Sequence, residues 1–192
     1  VAPSAWAACL RSSSEPTEPP AFTVHGTVTF GARLPTTAGA SAESMRPAPF
    51  TVVAVLDDAG NELAKGATAE AGGFALSGSG TAATVEVRAR TEIGDEVLEV
   101  TRDAAGSDLH SFRAPIAADG TASIAISDAA SSMAGALHIL ATLRHGLVLV
   151  REWTGRTLPD LFVYWERGVT TEWSYFRGPR GDDRFCLELL GG

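Results

Sequence analysis

From Phe22 onward the chain alternates between apolar and polar positions. "FTVHGTVTF" (22–30) sets Phe22, Val24, Gly26, Val28 and Phe30 in one register and Thr23, His25, Thr27 and Thr29 in the other. That period of two is the mark of a half-buried strand. The Pro, Thr, Ala and Ser stretch at 35–49 reads as a loose connection. "FTVVAVLD" (50–57) is apolar enough to predict a strand buried on both faces. "DDAGNE" (57–62) carries turn chemistry, and "LAKGATAEAGGFALSG" predicts two short strands around residues 71–73. "TVEVRARTE" (84–92) alternates cleanly, and "EIGDE" folds it into "EVLEVTRD" (96–103) as a hairpin. "HSFRAPIA" and "TASIAISD" add two more short strands. About eight short strands with frequent turn signals predict an antiparallel β-sandwich over residues 22–127.

The pattern changes after Asp128. Residues 129–153 predict a helix, with Met133, Leu137, Leu140, Leu147 and Val148 near helical spacing, Ser127 or Asp128 as its cap and Gly155 as its stop. "LPDLFVYWERG" then predicts a strand with Leu161, Val163 and Trp165 opposite Phe162 and Tyr164, and "TEWSYFRG" and "RFCLELLG" predict two more. Three segments result: a Pro- and Ser-rich tether over 1–21, the sandwich over 22–127, and a helix with short strands over 128–192. The closing strand runs into Gly191 and Gly192, and the expectation is that the third segment is an incomplete domain with more chain beyond it.

Charge narrows the partners. Asp and Glu number 23 against 15 Lys and Arg, a net charge of −8. No basic face is in prospect for a phosphate backbone, so nucleic acid is not an expected partner. No cationic run suits an anionic membrane surface, and no segment is read as reaching the roughly 18–20 apolar residues that span a bilayer.

Candidate chemistry is sparse. His138 and His145 sit seven apart on the predicted helix, roughly 10 Å along its axis, too far to share one zinc with ligands at about 2 Å. His25 and His110 fall in strands. Asp57 and Asp58 suit a turn that bonds its own backbone, and Asp182 and Asp183 suit a solvated one. "SGSG" (77–80) has no Lys-Ser or Lys-Thr after it and reads as a loop, not a phosphate cradle. Cys186 alternates with apolar residues and reads as a small buried hydrophobe. No catalytic, metal or cofactor residue is therefore predicted within the chain. What stands out is an aromatic group, Phe162, Tyr164, Trp165, Trp173, Tyr175 and Phe176. It suits packing against the helix and a further domain, or a platform for a glycan, peptide or protein.

Three stretches resemble known sequences. "HGTVTF", "VVAVLDDAGNELAKGATAEAGGFALSG" and "TVEVRAR" resemble the carboxypeptidase-regulatory-like (transthyretin-like, Ig-like) β-sandwich of secreted bacterial proteins, with its "D-x-x-G-x-x-L-x-x-G" turn and Gly-Phe step. The long 31–49 stretch departs from that pattern. "SAWAACL" resembles a bacterial lipoprotein signal, which implies lipidation of Cys9 and a lipid anchor as the one membrane contact. Residues 130–192, with "P-x-L-x-V-Y-W" and "T-x-W-S-Y-F", resemble the segment joining such a sandwich to a zincin domain. The resemblances imply a secreted or envelope-anchored protein whose non-catalytic front end spaces or orients a metallopeptidase. Its zinc would lie in a downstream "H-E-x-x-H" helix, absent from these residues. The alternative is a self-contained surface-binding module using Tyr164, Trp165, Trp173 and Tyr175.

Overall fold

The structure is a computed structural model. It describes residues 19–94, 96–129 and 131–169, together with strand backbone at 176–177 and 185–188. Cys9, Trp173 and Tyr175 lie outside the described residues.

The chain is mainly β, with one helix among the described residues. In order the elements are β1 (Ala21–Ala32), β2 (Pro35–Thr36), β3 (Gly39–Ala40), β4 (Ser44–Pro47), β5 (Val52–Leu56), β6 (Glu62–Ala67), β7 (Gly73–Ser79) and β8 (Thr84–Arg88). They continue with β9 (Arg90–Ile93), β10 (Glu96–Thr101), β11 (Ser111–Pro115), β12 (Thr121–Ile126), α1 (Ser132–Thr154), β13 (Leu161–Tyr164), β14 (Phe176–Arg177) and β15 (Phe185–Glu188).

β1 is the hub of the first sheet. Its alternation places Val24, Val28 and Phe30 in the core and leaves Thr23, His25 and Thr27 exposed. One edge pairs with β12; the other is shared by β7 along residues 21–27 and β4 along residues 29–32. Val28 marks the changeover, donating to Gly72 O (2.8 Å) and accepting from Ala48 N (3.0 Å). A Cβ on Gly72 would stand 2.4 Å from Val28 O, and its φ is +77°, so glycine is required there on both counts.

A second sheet runs β11-β8-β5-β6, antiparallel throughout. All five residues of β5 are buried, as its composition predicts. Val53 and Val55 face the shared core. Val52, Ala54 and Leu56 alternate with them and lie opposite Arg88, Lys65, Glu86 and Glu62 across the strand pairs. The aliphatic stems of those charged residues cover the apolar face and carry their charges outward.

A third sheet runs β14-β15-β13-β10-β9. The run 84–93 serves two sheets, as β8 in one and β9 in the other. Between them Ala89 donates to His110 O (2.8 Å) and accepts from Val100 N (2.9 Å). The predicted hairpin pairing of β9 and β10 is present, with Ile93 opposite Glu96. β10 and β13 pair across the 127/128 boundary read from the sequence, Leu98 opposite Leu161 through Thr101 opposite Tyr164.

Five expectations need correction, the cap of α1 being the fifth. The stretch 35–49 is not a loose connection: it holds the small β2–β3 pair and β4. β4 escapes notice because all four of its residues are exposed, so it carries no apolar alternation. Pairing is not wholly antiparallel, because β1 and β12, β10 and β13, and β13 and β15 run parallel, each joined by a crossover rather than a hairpin. "SGSG" is mostly the end of β7 rather than a loop. Finally, a segment of membrane-spanning length exists: the 23 residues of α1 are long and apolar enough by length and composition to cross a bilayer. A core helix passes the same test, and the first half of α1 is packed in the core.

The cap of α1 is Ser131, whose side chain accepts from Met133 N (3.1 Å), and not Ser127 or Asp128. Tertiary bonds claim Asp128: its carboxylate accepts from Arg33 (3.2 Å) and Arg167, and its N–H goes to Glu43 (2.7 Å). Gly155 ends the helix as predicted, left-handed at φ 66°, with its N–H on Arg151 O. Met133, Ala134, Ala136, Leu137 and Leu140 enter the same core as Val24, Val53, Val85 and Val100. Each large side chain there contributes about 1.5–3 kcal/mol by leaving water.

Candidate functional site

Just past the end of β13 stands Trp165, whose N–H bonds Thr101 O (3.0 Å). Its ring lies on the backbone of α1 at Gly135, where a Cβ would stand 2.3 Å from Trp165 Cη2. On its other side is His110, with ring centroids 5.6 Å apart and planes tilted by 39°. His110 is 0% exposed, and its Nε2 lies 2.7 Å from Trp165 O. A carbonyl only accepts, so Nε2 carries the proton and Nδ1 presents a lone pair that finds no hydrogen-bond partner. Burial lowers the pKa of His110, and nearby Arg102 adds to this, against the opposing bond to Trp165 O. His110 is thus a neutral packing group under Trp165. Tyr164 is half-buried on the opposite side of the strand.

A second constellation, missed at the level of sequence, lies farther along α1. Phe30, Arg46, Pro47, Pro49, His138, Ala141 and Thr142 line a groove of about 490 Å³ between β4 and the helix. Pro47 ends β4, and Pro49 biases Ala48 toward extended backbone, which carries the chain along the groove wall. Phe50 then turns it with φ 54°, the one non-glycine residue at positive φ among those described. Such a residue costs about 1 kcal/mol or more. Thr68 holds the turn, accepting from Thr51 N (2.8 Å), donating to Ala48 O (2.5 Å) and accepting Phe50 N–H at its carbonyl (3.0 Å).

Arg46 brings one positive charge to the groove lining, and Arg144 lies one turn of α1 beyond Ala141, outside that lining. The Arg144 guanidinium lies 3.7 Å from the centre of the Phe50 ring, and its Nε is buried with no hydrogen-bond partner. Burial lowers the pKa of Arg144, against the pull of the Glu70 charge. Arg46 is exposed on the wall. Lys65, Arg33, Arg88, Arg90, Arg102, Arg113 and Arg167 each meet a carboxylate, whereas Arg46, Arg144, Arg151 and Arg156 form no ion pair among the described residues. His138 stands edge-on to Phe30 at 6.3 Å, and Thr142 donates to His138 O (2.8 Å). The signal for this site was weak, because its walls come from segments about 100 residues apart and one of them lacked any apolar period.

The other singled-out residues do not converge. His145 is exposed on α1, and His25 is exposed on β1. Asp57 accepts from Asn61 N (2.8 Å) and Asn61 Nδ2 (2.9 Å), which hold its carboxyl below the usual range. Asp103 repeats the device with Ser107. Among the described residues no group of three metal-ligating side chains gathers. Cys186 lies opposite Phe162 in the β13–β15 register. No protein family, no curated protein and no solved structure matches this chain.

Proposed function

We propose that the chain is a non-catalytic spacing and orienting module of a secreted or envelope-anchored protein, built on a transthyretin-like β-sandwich, with an adjoining domain seated on the end of α1. The observation that carries this reading is the division of α1. Residues 133–140 supply its buried positions, while further along Val150 is 37% and Trp153 78% exposed. An apolar helix end held away from its own core suits a neighbour. The sandwich is supported by the first two sheets contributing side chains to one core. Carboxylates that could serve chemistry are engaged as ties: Glu96 accepts from Leu158 N (2.6 Å) and Asp160 from Val97 N (2.9 Å). The resemblance of 130–192 makes a zinc-dependent peptidase the proposed neighbour. The alternative, a binding platform on Tyr164, Trp165, Trp173 and Tyr175, is weakened where α1 and His110 take up the ring of Trp165.

Two measurements test the proposal. The gene is expected to read on in frame past codon 192 into an "H-E-x-x-H" helix. Hydrogen exchange at 147–154 is then expected to be slower in the longer product than in residues 1–192 alone. A stop codon directly after Gly192, or equal exchange in both proteins, overturns it.

A further inference from the structure

We propose that the groove between β4 and α1 is a binding site for a small organic acid, a molecule with an apolar body and one carboxylate. The inference stands independently of the spacing role. Its volume of about 490 Å³ falls within the roughly 300–1,000 Å³ of small-molecule sites. Four of its seven lining residues, Phe30, Pro47, Pro49 and Ala141, are apolar and offer area to a ring or short aliphatic chain. The other three are Arg46, His138 and Thr142, a few polar groups of the kind that orient a ligand rather than dissolve it.

The charge of the ligand follows from what the chain does with its cations. With 23 acidic residues against 15 basic ones, carboxylates are in excess and a partner is easy to find. Seven described cations have one. Arg46, Arg144, Arg151 and Arg156 have none among the described residues, and of these Arg46 is the one that stands at the rim of this apolar groove. A guanidinium offers a fork of donors that matches a carboxylate in two parallel bonds. Pro47 and Pro49 flank the chain beside Arg46 and restrict its backbone, so this wall is set before a ligand arrives. The apolar lining selects against a bare inorganic anion, which would have to shed water with nothing to replace its hydration.

The test is a titration of the isotopically labelled chain, followed by amide chemical shifts, with phenylacetate, its neutral isostere phenylacetamide, and inorganic phosphate as probes. Phenylacetate is expected to move the amides of Arg46, His138, Ala141 and Thr142 and to bind at least about tenfold more tightly than phenylacetamide, the factor one charged hydrogen bond supplies. Arg46→Gln, at an exposed position that leaves the fold intact, is expected to erase that difference. Ala141→Leu, which fills the groove, is expected to weaken both organic probes. Equal affinity for acid and amide overturns the proposal, as does an Arg46→Gln variant that still discriminates. Shifts confined to other residues, or phosphate binding as tightly as phenylacetate, overturn it too. An acidic peptide that moves these amides where phenylacetate does not would assign the groove to a protein partner and overturn it equally.

Discussion

Two regions of this molecule carry arginines over an apolar floor, and they treat them in opposite ways. On the outer face of the β11-β8-β5-β6 sheet, Arg88 donates to Glu86 and Glu62 (both 2.7 Å) and Arg113 donates to Glu86 (2.9 Å). Burial alone would raise the pKa of Glu86, but the two guanidiniums outweigh it and hold the carboxyl below its usual range. Arg90 continues the ladder to Glu92 and Glu99, and Lys65 meets Glu92. Beside α1, by contrast, Arg46 lines an apolar groove and Arg144 stacks on Phe50, and neither forms an ion pair among the described residues. The first arrangement spends charge on holding strands together. The second leaves charge available to something that is not part of the fold.

The largest test of that contrast acts through α1, which underlies the groove but not the ladder. Gly135→Leu drives a side chain into Trp165, whose ring His110 backs from the other side. It is expected to lower stability by about 1–3 kcal/mol in chemical denaturation, although replacing a helical glycine would otherwise add up to about 1 kcal/mol. Amide shifts should move around 101–110 and 135–142 and stay still at 84–88. A more stable variant would show that Trp165 does not need the bare backbone.

A paired substitution sharpens the comparison directly. Glu86→Gln leaves two guanidiniums without their charge partner, and the expected loss is about 1–2 kcal/mol. The upper end is discounted because the Arg113 side chain is 57% exposed. Arg46→Gln should change stability by no more than about 0.5 kcal/mol. Equal losses for the two, measured as denaturation midpoints, would erase the distinction between charge that builds and charge that waits.

The smallest effect is the pH dependence, and it separates the ladder from the Trp165 contact by window. His110 has a lowered pKa when folded, so on acidification the unfolded chain takes up a proton that the folded chain refuses. Its contribution is fully present above the ordinary histidine value of about 6.5 and declines as pH falls from there toward the folded pKa. Glu86 acts lower: its stabilisation is present above the ordinary carboxylate value of about 4.3 and is lost as pH falls toward its depressed one. Thermal melts between pH 7.5 and 5, values bracketing the histidine range, should show the first slope and lose it in His110→Gln. A slope unchanged in that variant would place the acid sensitivity elsewhere.

The parts of the fold that could be read ahead were those set locally. The five buried residues of β5 announce themselves in "VVAVL", the pairing of β9 with β10 in "EIGDE", and the end of α1 in Gly155. What could not be read depended on residues far along the chain. Ser127, Asp128 and Ser131 are all competent caps, and only the arrival of Arg33, Glu43 and Arg167 at Asp128 decides among them. β4 has no apolar face of its own and becomes a strand because β1 leaves an edge open to it. The groove needs both of those outcomes, so Arg46 and His138 carried no mark of a site until β4 and α1 were set side by side. Trp165 stands out in the sequence among the clustered aromatics, but its partner Gly135 has no chemistry to notice.

The position of β1 as hub also has a consequence in time. His25 to Phe30 are joined on one edge only by Thr121 to Ile126, which are made about 100 residues later. At a synthesis rate of roughly 5–20 residues per second, that is a wait of about 5–20 s. During it β7 and β4 can close the opposite edge, but Val24, Val28 and Phe30 remain beside an open row of hydrogen-bonding groups. The earliest strand among the described residues is therefore one whose edge stays open longest, and the nascent protein remains exposed to pairing with another copy until β12 emerges.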